Sequence, residues 1–177
     1  MPANPATPDA APVDAAGTGH RAVARRRPVE SVESVESVES WLRRSVRQQP
    51  AEVVPPGQLH TCVERTHSRL ADGRLLCWRP SRLTGLRVAI DGERAGQAVP
   101  RALARRAATD DPDVFWPLWT RAEVRAKLHS IPIAAWLRLV DWTADGSLEV
   151  PLEVVTVVSA GVVLSYGVRE PLGAPFT

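Results

Sequence analysis

With 177 residues, of which 44% are hydrophobic and 24% charged, the chain falls in the range of soluble globular proteins and suits one domain with tails. The composition excludes a collagen, a wholly disordered chain and a disulfide framework, since Cys62 and Cys77 are the only cysteines. The net charge of +2 conceals segments of opposite sign: residues 41–106 carry a net +8, while 29–40 and 107–177 each carry −4. Such a division suits an acidic partner, or two faces that attract each other. Arg outnumbers Lys 21 to 1, a skew that a GC-rich coding sequence produces without any role in binding.

Residues 1–28 are rich in Ala and Pro and are expected to be a disordered tail. They lack the apolar core of a secretory signal. Residues 29–49 form a second segment that opens on four copies of Val-Glu-Ser. Its acids precede Arg43, Arg44 and Arg47, an order that suits the helix dipole, and Glu39 stands i,i+4 to Arg43. A helix is expected over 30–48, ended by Pro50, with Trp41, Leu42 and Val46 as its docking face.

Residues 58–170 are expected to form a single β-rich α+β domain. Residues 59–70 read as a strand, Asp72-Gly73 as a two-residue type I′ turn and 75–79 as the returning strand. That register sets Leu70 opposite Leu75, Ser68 opposite Cys77 and His67 opposite Trp78. It places Arg69 on the side of Leu76 and Trp78, and Arg79 on the side of Leu75 and Cys77. A third strand, 86–90, puts Leu86, Val88 and Ile90 on one face, and Asp91-Gly92 reads as the next turn. Residues 101–108 are a basic helix candidate and 110–117 a loop. Thr120 and Glu123 have the spacing of a capping box, with Trp119 and Val124 as its hydrophobic staple, so a helix is expected over 121–129. Residues 136–142 alternate like a strand, turn at Asp145-Gly146, and set Leu139 opposite Leu152 and Arg138 opposite Glu153. A three-residue loop, Ser159-Ala160-Gly161, leads to the last strand, with Val162, Leu164, Tyr166 and Val168 on the face of Val154, Thr156 and Val158. The fold class expected is α+β: a mainly antiparallel sheet of hairpins with two or three helices and a disordered N-terminal tail.

The uncharged stretch 154–168 has 15 residues, against about 20 for a membrane-spanning helix, and it is full of β-branched side chains. Membrane insertion is therefore not expected, and a cytoplasmic location with reduced thiols is. His60, Cys62 and Glu64 alternate on one strand face, but the residues opposite supply no further ligand, so no metal is expected. Cysteine catalysis would need a base within reach, and His67 and Cys77 point to opposite faces in this register. No phosphate-cradling glycine motif is present, and no cofactor is expected. Asp110, Asp111 and Asp113 read as a solvated acidic loop.

These readings rank a non-enzymatic interaction or regulatory protein first, acting through a protein partner that docks on Trp41, Phe115 and Trp116. The alternative is a nucleic-acid-binding protein that uses Arg69, Arg74 and Arg79 of an arginine-rich hairpin. A small enzyme ranks third, with no catalytic residue to name.

Overall fold

The computed structural model describes residues 36–58, 66–81, 85–143 and 152–171. The N-terminal tail, the first part of the expected repeat helix, His60, Cys62, Glu64, Arg82 and the Asp145-Gly146 turn lie outside the described residues. The class is α+β, with two antiparallel three-stranded sheets and four helices among the described residues.

Helix α1 (Val38–Gln48) starts at Ser37, whose hydroxyl accepts the Ser40 amide proton at 3.2 Å. The expected Glu39–Arg43 pair forms at 3.0 Å. Trp41, Leu42 and Val46 are buried, so the apolar stripe docks onto the protein's own core.

The first sheet has the order β1 (Glu52–Val54), β3 (Leu75–Trp78), β2 (Thr66–Arg69). The expected β2–β3 hairpin forms, but one residue out of the expected register: Arg69 lies opposite Leu75 and His67 opposite Cys77. The turn is the reason. Only Gly73 takes a positive φ, +87°, whereas a type I′ turn would need one at Asp72 as well. The Gly73 amide donates to the Leu70 carbonyl and the Leu70 amide to the Arg74 carbonyl, both at 2.9 Å, which closes a three-residue loop with Gly73 as its bulge.

The second sheet has the order β4 (Arg87–Arg94), β6 (Val162–Arg169), β5 (Leu152–Ser159). Asp91-Gly92 is not a turn: β4 continues through both residues, which lie opposite Ser165 and Leu164. A Cβ at Gly92 would stand 2.3 Å from Leu76 Cδ1, so glycine here lets the first sheet press onto the second. The β5–β6 connection also differs from expectation. Ser159 pairs with Val162, leaving a two-residue loop in which Ala160 and Gly161 both have positive φ, 48° and 70°. This type I′ geometry puts Val155 and Val157, not Val154 and Val158, on the face of Leu164 and Tyr166.

Helix α2 (Arg101–Ala107) agrees with its expected span to one residue. Helix α3 (Pro112–His129) does not start at a Thr120 cap. Its cap is Asp111, whose carboxylate accepts the Asp113 amide proton at 2.9 Å, and Pro112 fills the first turn, where its missing N–H loses nothing. The expected acidic loop is thus the first turns of the helix, and Thr120 lies inside it. Helix α4 (Ile133–Leu139) replaces the expected strand over 136–142. Pro132 leads into it, Trp136 is buried and Leu139 is 68% exposed. Arg138 sits on this helix and Leu152 pairs with Arg169, so neither proposed cross-strand pair forms.

The second sheet is the middle layer. One face packs Ile90, Leu164, Tyr166 and Val168 against α1 and the first sheet, through Leu42, Leu76 and Trp78. The Trp78 and Tyr166 rings meet edge to face at 5.0 Å. The other face carries α3: Val124 and Leu128 lie on Ala89. A Cβ at Gly167 would stand 2.3 Å from Val124 Cγ1 and 2.9 Å from Leu128 Cδ1, so this glycine sets how closely the helix approaches. Among the described residues no helix is long and apolar enough to cross a membrane.

Candidate functional site

Side chains on the α3 side of β4 alternate with the apolar Val88 and Ile90, and read Arg87, Ala89, Asp91, Glu93 along the strand. The interface between β4 and α3 is therefore cationic at one end and acidic at the other.

Lys127 stands between the two ends. Its ammonium donates to Asp91 Oδ1 at 2.7 Å and to the Ile90 carbonyl at 3.0 Å, and lies 3.4 Å from Ser68 Oγ. Ser68 Oγ donates to the same Asp91 oxygen at 2.7 Å. The Ile90 amide donates to Thr66 Oγ1 at 3.2 Å. Burial pushes the Asp91 carboxyl above the usual carboxylate range, while Lys127, Ser68 and the Gly92 amide pull it back. Glu93 is raised by burial and accepts from Gln97 at 2.9 Å. Glu123, one turn before Lys127 on α3, is pushed up to about 7 by burial, then by the charges of Asp91 and Glu93. A serine beside a lysine suggests a nucleophile and its base. Here the Ser68 proton is committed to Asp91, and the Lys127 ammonium is paired with the same carboxylate oxygen. The arrangement works as a half-buried ion pair that locks β2, β4 and α3 together.

The cationic end opens on the surface. A cleft of about 390 Å³ runs between β2, β4 and α3, with His67, Arg87 and Lys127 on its walls over Ala89 and Leu128. No carboxylate is among its described lining residues. Opposite Arg87 in the β4–β6 register stands Arg169, which is only 5% exposed. Comparisons with family models, curated proteins and solved structures match nothing. The reading of this site therefore rests on its own chemistry.

Trp41, Phe115 and Trp116, the expected docking residues, are 8%, 0% and 5% exposed. Phe115 packs edge to face on Trp116 at 4.8 Å, and the Trp116 indole donates to the Gln97 carbonyl at 2.8 Å. Their apolar surface is taken up inside the fold. Of the expected nucleic-acid residues, Arg69 and Arg79 are exposed, and Arg74 is half-buried and paired with Asp72 at 2.8 Å. The observed register moves Arg69 to the face of Leu75 and Cys77. Strand alternation continued past Trp78 puts Arg79 on that same face, so the two are not divided as expected.

Sequence reasoning missed Lys127, Asp91 and Arg169, and took Arg87 only as one of the arginines beside the first hairpin. One signal was available: the lysine at position 127 stands alone among 22 basic residues. A compact ammonium with three donors suits three converging acceptors better than a planar guanidinium does.

Proposed function

We propose that the protein is a non-enzymatic binding protein, with a regulatory role, that receives an anionic segment of a partner in the cleft between β2, β4 and α3. The observation that carries this reading is a concave surface walled by His67, Arg87 and Lys127, with no carboxylate among its described lining residues. Lys127 is paired with Asp91, so Arg87 supplies most of the attraction. The chemistry beside the cleft also favours binding over catalysis, because its serine is engaged with a carboxylate. We place this activity in the cytoplasm, where a buried thiol such as that of Cys77 stays reduced.

The test is capture of partners from nuclease-treated native lysate on the immobilised full chain, compared with Arg87→Glu. Capture that the charge reversal abolishes supports the cleft. Capture that Arg87→Glu leaves unchanged refutes it.

A second reading, binding of single-stranded nucleic acid, is favoured by the placement of exposed Arg69 and Arg79 toward one face of the hairpin. It requires an oligonucleotide affinity that falls steeply with salt, with a slope that Arg69→Ala with Arg74→Ala flattens by about one unit per lost phosphate contact.

A further inference from the structure

We infer that Arg169, His129, Trp136 and Arg87 form a receptor for a phosphate group beside the cleft, where Arg87 on its wall stands opposite Arg169. The inference rests on the anion-binding reading above and gives the ligand its chemistry.

Arg169 is the last residue of β6 and is 5% exposed. Among the described residues no carboxylate pairs with it, although a buried guanidinium ordinarily has such a partner. Its Nη1 lies 3.2 Å from His129 Nδ1, and its Nε is buried without a hydrogen-bond partner. With Nδ1 accepting from the arginine, the neutral imidazole carries its proton on Nε2. That Nε2 is also buried without a partner, and so is Nε1 of Trp136. The His129 and Trp136 rings stack at 5.3 Å, which holds the two N–H groups on adjoining planes. Buried donors are almost always satisfied, and three orphans on one imidazole and the two side chains against it are unusual.

Charge points the same way. Arg87 and Arg169 are directly opposite on neighbouring strands, where like charges repel. Arg87 Nη2 donates to Ser130 Oγ at 2.7 Å, a neutral acceptor that leaves its charge uncompensated. Burial first, then Arg169 and Arg87, hold the His129 ring below its ordinary value and so keep it neutral. A carboxylate would bring one charge and two oxygens in a plane. A phosphate monoester brings nearly two charges and three oxygens, which matches two guanidiniums and two ring N–H donors. Arg87 lines the cleft, so the group enters past it from solvent.

The test is a titration of the isotope-labelled full chain, following the Trp136 indole N–H and the His129 ring by NMR. Inorganic phosphate and phosphoserine are the probes, with acetate at equal ionic strength as control. A saturable shift of the Trp136 signal and a rise in the His129 pKa are expected with phosphate but not with acetate. Arg87→Gln and Arg169→Lys should each weaken binding about tenfold, the loss of one charge-assisted hydrogen bond. If Arg169→Lys fails to fold, the exposed Arg87→Gln decides alone. Equal saturation by both probes identifies free phosphate as the ligand, and tighter phosphoserine a phosphorylated side chain. No saturable shift with either probe, an equal response to acetate, or binding indifferent to Arg87→Gln overturns the inference. Partner capture lost in Arg87→Glu without phosphate binding removes only the phosphate. Phosphate binding without Arg87-dependent capture removes only the partner.

Discussion

Replacing Glu123 by Gln should stabilise the protein at alkaline pH and remove part of its pH dependence. The folded state pushes this carboxyl from its ordinary 4.5 up to about 7, chiefly by burial and then by Asp91 and Glu93. The folded protein therefore holds the proton more tightly than the unfolded chain. The resulting stabilisation is fully present below pH 4.5 and is lost as pH rises to about 7. At about 1.36 kcal/mol per pH unit, the full difference corresponds to roughly 3.4 kcal/mol. Glu123 is only half-buried, so solvent screening trims this to ~1–2 kcal/mol. Glutamine keeps the shape and the helix propensity and carries no charge. Urea denaturation of both proteins between pH 4.5 and 8 should show curves that coincide at the acid end and diverge to that extent by pH 8, with Glu123→Gln the more stable. A variant no more stable than the wild type at pH 8 would refute the account of an acidic cluster between β4 and α3.

Three further substitutions probe how α3 sits on the sheet. Gly167→Ala should cost about 1–3 kcal/mol in a denaturation midpoint, because its Cβ would collide with Val124 and Leu128 under α3; an unchanged midpoint would show that the helix does not sit this close. Lys127→Met should cost ~2–3 kcal/mol at pH 8, since it leaves Asp91 buried without its cation. That loss should shrink towards pH 5 as Asp91 takes up a proton, whereas Asp91→Asn, which leaves a partly exposed lysine, should cost less at pH 8; equal losses would refute the pairing.

Elements with a long, unambiguous pattern were legible in the sequence. The Trp41, Leu42 and Val46 stripe, the hairpin ending at Leu75 and the apolar face of β6 all follow from periodicity. The errors share a cause: a local motif was given more weight than the pattern around it. Asp-Gly at 91–92 can form a turn, but alternation from Val88 to Arg94 continues through it, and burial of Ile90 on one face and Asp91 on the other selects a strand. The Thr120/Glu123 spacing can cap a helix, but Asp111-Pro112 caps it earlier. Residues 136–142 alternate closely enough to pass for a strand, and Pro132 was the cue to a helix start. The charged interface could not be read locally, because Asp91 and Lys127 are 36 positions apart, and Arg87 meets Arg169 only through the β4–β6 register.

β4 borders its sheet, and at Ile90 both outward backbone groups are engaged by side chains, the amide by Thr66 and the carbonyl by Lys127. Open strand borders are where chains template onto one another and grow into fibres. A strand arriving from another molecule would find the midpoint of this border already occupied, and displacing Lys127 would strand Asp91 without its countercharge. The contact that joins two layers of the fold therefore also guards this border against self-assembly.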